Sequence, residues 1–191
     1  MNPLIFASTS TYKQQQLSTL GLKYQAVNSQ IEEFHDPALK PSTLALTLAQ
    51  QKAESVMDHF SQCWVLGSDQ VAVSPDNTLL TKPNTVENAV KQLSMCSGKT
   101  ATFYSAICLI NGTKSYKSCI TTTVSFRKLT QSEIERYIAK DQPLNCAGSF
   151  KAESLGISLF EKVISEDPSA LIGLPLIATC NLLRKAGFSL P

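Results

Sequence analysis

Apolar positions in this chain fall into short runs separated by amphipathic segments, and the runs change character between the ends and the middle. Leu4-Ile-Phe-Ala7 reads as a strand, and Ser8-Thr-Ser10 offers an N-cap for a helix that closes at Gly21. Tyr24-Gln-Ala-Val27 reads as a second strand, followed by a polar loop carrying Glu32, Glu33, His35 and Asp36. Pro41-Ser42 then starts a long helix expected to run to about Phe60. Cys63-Trp-Val-Leu66 is a buried-strand run, and Val71-Ala-Val73 resumes it after Gly67-Ser-Asp69, so Asp69 interrupts an otherwise apolar strand.

Further along, Asn84-Thr-Val-Glu87 has the capping-box pattern of a helix reaching about Met95, with Ser97-Gly98 to end it. Segments 102–110 and 114–126 are rich in β-branched and aromatic residues and are joined through Asn111-Gly112, which predicts a long antiparallel hairpin. Thr130-Gln-Ser-Glu133 is a second capping box, for a helix ending near Lys140. A strand is expected over 157–164, and Pro175, suited to a first helical position, opens a terminal helix stopped by Gly187. Strands alternate with helices at both ends and a hairpin fills the centre, so the expected class is α/β with a mixed, twisted sheet and flanking helices.

Composition narrows the reading. A chain of 191 residues that is 43% hydrophobic and 17% charged has enough apolar surface for a substantial core. With no repeat, low-complexity stretch or linker, residues 1–191 are expected to form one domain, bilobal at most. A net charge of +2 without clustered basic residues argues against a nucleic-acid partner. The N-terminus lacks a basic segment followed by a long apolar one, and no stretch approaches the roughly 20 apolar residues of a membrane span. A cytoplasmic protein without a membrane partner is the expectation. The six cysteines include no C-x-x-C pair and there are two histidines, which favours reduced thiols over disulfides or a zinc site.

Asp69 is the sharpest chemical feature, because a carboxylate between apolar strand halves costs several kcal/mol unless it is paired, metal-bound or turned to a cleft. An Asp capping a turn at a strand end is the plainer alternative. Lys52 and Lys82 are candidate phosphate ligands, each readable also as solvated surface. Glu32 and Glu33 could hold a divalent ion, or simply belong to a solvated loop. Ser8-Thr-Ser10 offers hydroxyls and backbone N–H groups at a helix start, where a phosphate or nothing at all would bind. No P-loop and no dinucleotide fingerprint is present. The small residues of Cys146-Ala-Gly-Ser149-Phe-Lys-Ala-Glu153 suit close backbone approach to a ligand, or a tight connection.

In order and spacing, Ile5-Phe-Ala-Ser8-Thr-Ser10, Gln51-Lys52-Ala53, Leu66-Gly-Ser-Asp69-Gln70, Thr81-Lys82-Pro83, Ser97-Gly98, Gly148-Ser149 and Ile172-Gly-Leu-Pro-Leu176 resemble the Maf family of nucleoside triphosphate pyrophosphatases over essentially the whole chain. Within that family, Gly67-Ser-Asp-Gln70 and Cys146-Ala-Gly-Ser-Phe-Lys-Ala-Glu153 look like the branch acting on 7-methyl-GTP. The dTTP/UTP branch typically carries Asp-Thr where Asp69-Gln70 stands here. The resemblance implies an elongated, two-lobed α/β fold with a central cleft, shared with inosine triphosphatases. It further implies a nucleotide substrate, a divalent cation, Mg²⁺ with Mn²⁺ as the alternative, and a homodimer in many members.

By resemblance Asp69 takes the position of the family's acid/base. Ser8, Lys13, Glu33, Lys52 and Lys82 match residues around the phosphates and metal, while Tyr12, Gln70 and Glu153 match positions tied to base selection. Two departures stand out. Lys13 replaces an Arg usual in the family, and a Lys cannot make a bidentate clamp on phosphate. Ala101 stands where many members have a His, as expected of the 7-methyl-GTP branch. The expected activity is hydrolysis of 7-methyl-GTP to the monophosphate and pyrophosphate. The alternatives are a pyrophosphatase for another modified or canonical nucleotide of the dTTP/UTP type, or a non-catalytic nucleotide-binding regulator of cell division.

Overall fold

The computed structural model describes residues 3–31, 38–60 and 62–191. The chain folds into two compact units. The first contains segments 1–70, 105–120 and 167–191, and the second 71–104 and 121–166. Three long strands, β3 (Trp64–Val73), β5 (Thr100–Asn111) and β6 (Lys114–Phe126), contribute residues to both. Among the described residues the mixed seven-stranded sheet pairs in the order β2 (Tyr24–Val27), β1 (Leu4–Ala7), β3, β5, β6 and β7 (Phe160–Ser165), with β4 (Leu79–Leu80) against β3.

In the first unit β1 (Leu4–Ala7) runs parallel to both β2 (Tyr24–Val27) and β3, placing Leu4 beside Tyr24 and Trp64. Parallel neighbours need crossovers, supplied by α1 (Thr11–Ser18) and α2 (Pro41–Met57). Ser10 caps α1 by accepting from the Lys13 N–H. Helix α2 seats directly on β3. A Cβ built on Gly67 would lie 2.1 Å from the Ala49 carbonyl oxygen and 2.8 Å from the Ala53 nitrogen. Ala45, Ala49 and Ala53, spaced four apart and fully buried, form the small-residue face that allows this approach. The core joins Phe6, Leu17, Leu66, Ile107 and Leu109 to Leu183 of α5 (Leu176–Lys185).

Helix α5 begins after Pro175, which stands at the N-cap rather than the first helical position and supplies no side-chain cap. Its exposed-donor problem is solved from outside: Asp167 Oδ2 accepts from Ala178 N at 3.1 Å and Ser169 Oγ from Leu176 N at 2.6 Å. The buried Gln16 amide ties α1 to the same loop, donating to the Ser169 and Leu174 carbonyls and accepting from Leu174 N.

The second unit contains β4 (Leu79–Leu80), antiparallel to β3, and β7 (Phe160–Ser165), antiparallel to β6. Helices α3 (Val86–Cys96) and α4 (Gln131–Asp141) pack on one another. Edge-to-face contacts among Phe103, Phe126, Phe150 and Phe160 fill its core, the closest being Phe150–Phe160 at 4.8 Å between centroids.

Several boundaries differ from the sequence reading. Residues 64–73 form one uninterrupted strand, so Asp69 sits within β3 without breaking it. The first capping box does not form: Thr85, one residue beyond Asn84, caps α3 alone by accepting from Asn88 N, while Asn84 adopts φ +60° and donates its N–H to the Leu144 carbonyl. Residues 155–159 wind into a 3₁₀ turn, so the last strand starts at Phe160. The Thr130/Glu133 capping box forms as read. The hairpin turns at Gly112 (φ +51°), the residue the Asn-Gly signal singles out. No helix among the described residues is long and apolar enough to cross a membrane.

Candidate functional site

Asp69 is 6% exposed and its Oδ1 is ion-paired with the Lys52 ammonium. The local sequence accounts for the pairing. Gly67 lets α2 approach β3 within backbone contact, and Lys52, next to Ala53 on that helix, then reaches the side chain two residues further along the strand. A buried carboxylate alone would carry a large desolvation cost, which the ammonium compensates.

Around this pair the first unit gathers polar groups from separate elements. Lys13 Nζ donates to the Ser68 carbonyl at 3.2 Å, and its stem runs so close to Gly173 that a Cβ there would lie 3.0 Å from Lys13 Cε. Ser68 Oγ donates to the Gly173 carbonyl at 3.2 Å. Gly173 adopts φ +128°, a conformation that L side chains rarely accept, so both space and backbone select glycine there. Ser8 is buried at the end of β1; its hydroxyl accepts from Ser10 N at 3.2 Å and its carbonyl from Gln14 Nε2 at 3.1 Å. Gln70, partly buried, donates through Nε2 to Ser105 Oγ and to the Ala170 and Leu171 carbonyls. Tyr12 is half-buried on α1.

The second unit holds Lys82 and Glu153, both exposed. Helix α3 grips the backbone on either side of Lys82. Gln92 Nε2 donates to the Thr81 carbonyl and Asn88 Nδ2 to the Pro83 carbonyl, each at 3.0 Å. Gln92 Oε1 also accepts from Ser149 Oγ at 2.7 Å, linking the Lys82 segment to the Gly148-Ser149 turn, where both residues have positive φ. Burial pushes the Cys146 thiol up to about 11, with Glu153 adding to the effect and Lys151 and Lys82 opposing it. This thiol is no ready nucleophile at neutral pH.

Residues 3–186 match the family model described as Maf-like protein. The chain belongs to the Maf-like family. It is 47% identical over 191 residues, spanning all of both chains, to a 7-methyl-GTP pyrophosphatase from Xanthomonas axonopodis pv. citri. A protein of the same name from Hahella chejuensis is 44% identical, with 98% of this chain and 96% of that one covered. Among solved structures, the HAM1 protein from Coxiella burnetii superposes with a TM-score of 0.54 at 12% identity, covering 97% of this chain and all of the other, and so shares its α/β fold.

Of the candidate positions in this Maf-like chain, Asp69 and Lys52 are in direct contact and Lys13 is bonded to the residue preceding Asp69. Glu33, with His35 and the rest of the acidic loop, lies outside the described residues. Gln92, Asn88, Ser68 and Gly173 were not singled out individually as functional residues in the sequence. Gln92 and Asn88 share the polar face of α3 at a spacing of four, a pattern equally expected of solvated surface.

Proposed function

We propose that this chain hydrolyses 7-methyl-GTP to 7-methyl-GMP and pyrophosphate, with Asp69 at the reacting centre and residues 1–191 acting as one domain. The observation that carries the reading is the buried Asp69 carboxylate beside Lys52, in a chain 47% identical over its full length to a protein named for that activity. A cation-compensated carboxylate, with Lys13 bonded to the preceding residue, suits a reaction dominated by positioning and charge neutralisation.

In the proposed reaction Asp69 accepts a proton from water as that water attacks the α-phosphorus in line. The bond from the α-phosphorus to the bridging oxygen breaks, and pyrophosphate leaves. Lys13, Lys52 and Lys82 offset charge on the triphosphate, and the Ser8 hydroxyl and adjoining backbone N–H groups donate to phosphate oxygens. No group of three or more His, Cys, Asp and Glu arranged for a metal exists among the described residues. One carboxylate together with substrate phosphates is nevertheless a donor set Mg²⁺ accepts, so Asp69 would hold Mg²⁺ or Mn²⁺ jointly with the triphosphate, and the ion would supply charge neutralisation. Methylation at N7 makes guanine cationic, which an aromatic face and a carboxylate favour; Tyr12, Glu153 and Gln70 are assigned to the base. The cytoplasm, where nucleotide pools reside, is the proposed compartment, and a homodimer the proposed assembly.

Pyrophosphate release from 7-methyl-GTP, GTP, dTTP and UTP, with and without Mg²⁺ or Mn²⁺, tests this reading. Metal-dependent release, fastest from 7-methyl-GTP, is expected. Equal rates with GTP or dTTP would overturn the substrate assignment.

A further inference from the structure

We infer that the last turn of α4 is a positioning element for Glu153: Tyr137 and Asp141 hold the chain on both sides of that carboxylate and thereby set the preference for a cationic base. The inference rests on the assignment of Glu153 to the base in the preceding section.

Glu153 is exposed, and an exposed glutamate discriminates weakly between ligands while it is free to wander, because screening and side-chain entropy erode its attraction for a cation. Its backbone is not free. Ser154 N donates to the Lys151 carbonyl at 3.3 Å, closing a turn with Ala152 and Glu153 at its tip. Gly156 folds back on the same residue so closely that a Cβ there would lie 2.3 Å from the Lys151 carbonyl oxygen. The turn is fastened to α4 at both ends. On one side Lys151 N donates to the Tyr137 hydroxyl at 3.0 Å and Lys151 Nζ to the Asp141 carbonyl at 2.6 Å. On the other, Ser154 Oγ donates to Asp141 Oδ1 at 2.6 Å.

Two features separate this clamp from ordinary loop packing. Asp141 Oδ2 is buried with no donor at full hydrogen-bond distance, and the Tyr137 hydroxyl lies beside the same carboxylate, so neither an Asn, which would bury amide N–H donors there, nor an Ala replaces it without loss. The carboxylate thus faces Tyr137 and holds Ser154 through Oδ1. In addition, Asp141 and Glu153 raise the Cys146 thiol while Lys151 lowers it, so the clamp brings the Asp141 carboxylate and the Lys151 ammonium together into the neighbourhood of Glu153 and acts on it by position rather than by net charge. Burial, first, and then Asp141 keep the Tyr137 phenol protonated far above its usual range, so its oxygen serves Lys151 as a neutral acceptor at any working pH.

The test compares kcat and KM for 7-methyl-GTP and GTP in the wild type, Ser154→Ala, Asp141→Asn and Tyr137→Phe, each also in a Glu153→Gln background. Ser154→Ala removes an exposed hydroxyl and keeps the fold, as its melting temperature reports. Its KM for 7-methyl-GTP is expected to rise about 3- to 10-fold with kcat little changed, the size of one lost hydrogen bond. KM for GTP should stay within about twofold, and in the Glu153→Gln background the effect should vanish, as for residues acting through one another. Retained preference in both Ser154→Ala and Asp141→Asn, while Glu153→Gln loses it, would overturn the clamp alone. Losses that add in the Glu153→Gln background would overturn it as well. A wild type without preference for 7-methyl-GTP, or an unaffected Glu153→Gln, would overturn the substrate reading and the clamp together.

Discussion

The Lys52 ammonium is ion-paired with the Asp69 carboxylate where α2 meets β3, the two side chains being 13% and 8% exposed. The pair is a consequence of strand–helix proximity, and it supplies the charge balance without which an Asp would not persist inside β3. Removing one partner should therefore cost more than the pair itself contributes. Lys52→Met is expected to lower stability by about 3 kcal/mol, measured by urea unfolding. A loss below about 1 kcal/mol would mean that Asp69 is compensated by some other group.

Gly67 keeps α2 and β3 close enough for that pair. In Gly67→Ala the new methyl must displace backbone at Ala49 and Ala53, and the cost should be about 2–3 kcal/mol, with turnover reduced because Lys52 moves with its helix. Thermal unfolding and pyrophosphate release on the same preparation check both effects. An unchanged melting temperature would contradict the close-contact account.

Gln92 connects the Thr81 carbonyl with the Ser149 hydroxyl through the two ends of one amide. Gln92→Leu leaves the buried Ser149 hydroxyl without its acceptor and the Thr81 carbonyl to water, and should destabilise by about 1–3 kcal/mol while raising KM for the nucleotide several-fold, since Lys82 loses its support. Steady-state kinetics showing kcat reduced at constant KM would place Gln92 in some other role.

The capping box of α4 gives a pH signature. Glu133 accepts from the Thr130 backbone and side chain and from Arg127, which together hold its carboxyl at about 2 against a usual 4.5. A depressed carboxylate stabilises the fold fully above its unfolded value, and the contribution fades as pH falls from about 4.5 towards about 2. Wild type should thus exceed Glu133→Gln in stability at pH 7 and match it near pH 2. A difference that is constant with pH would show that charge plays no part.

What the sequence disclosed follows from range. The hairpin at Gly112 and the Thr130/Glu133 box depend on residues next to one another, so their chemistry can be read directly. The Asn84 pattern failed because the Leu144 carbonyl, distant along the chain, claims its N–H. Strand β4 spans only Leu79–Leu80, too short to show a period. At the candidate site, Asp69 was conspicuous because a charge in an apolar run violates local expectation. Gln16 and Gln92 were not, since an amide looks the same whether it faces solvent or joins segments; Gln16 reaches Ser169 and Leu174, far away in sequence. Gly67 and Gly173 could be recognised as motif members, but their purpose lies in the neighbours that crowd them.

The most direct measurement is pyrophosphate release from 7-methyl-GTP by Asp69→Asn beside the wild type, with circular dichroism and melting temperature on both. The Asn oxygen can still accept from Lys52, so the fold is expected to survive while turnover falls by about 10²- to 10⁴-fold, the usual contribution of a positioned proton acceptor. Turnover retained in a folded Asp69→Asn variant would contradict the assignment of Asp69 to the reacting centre.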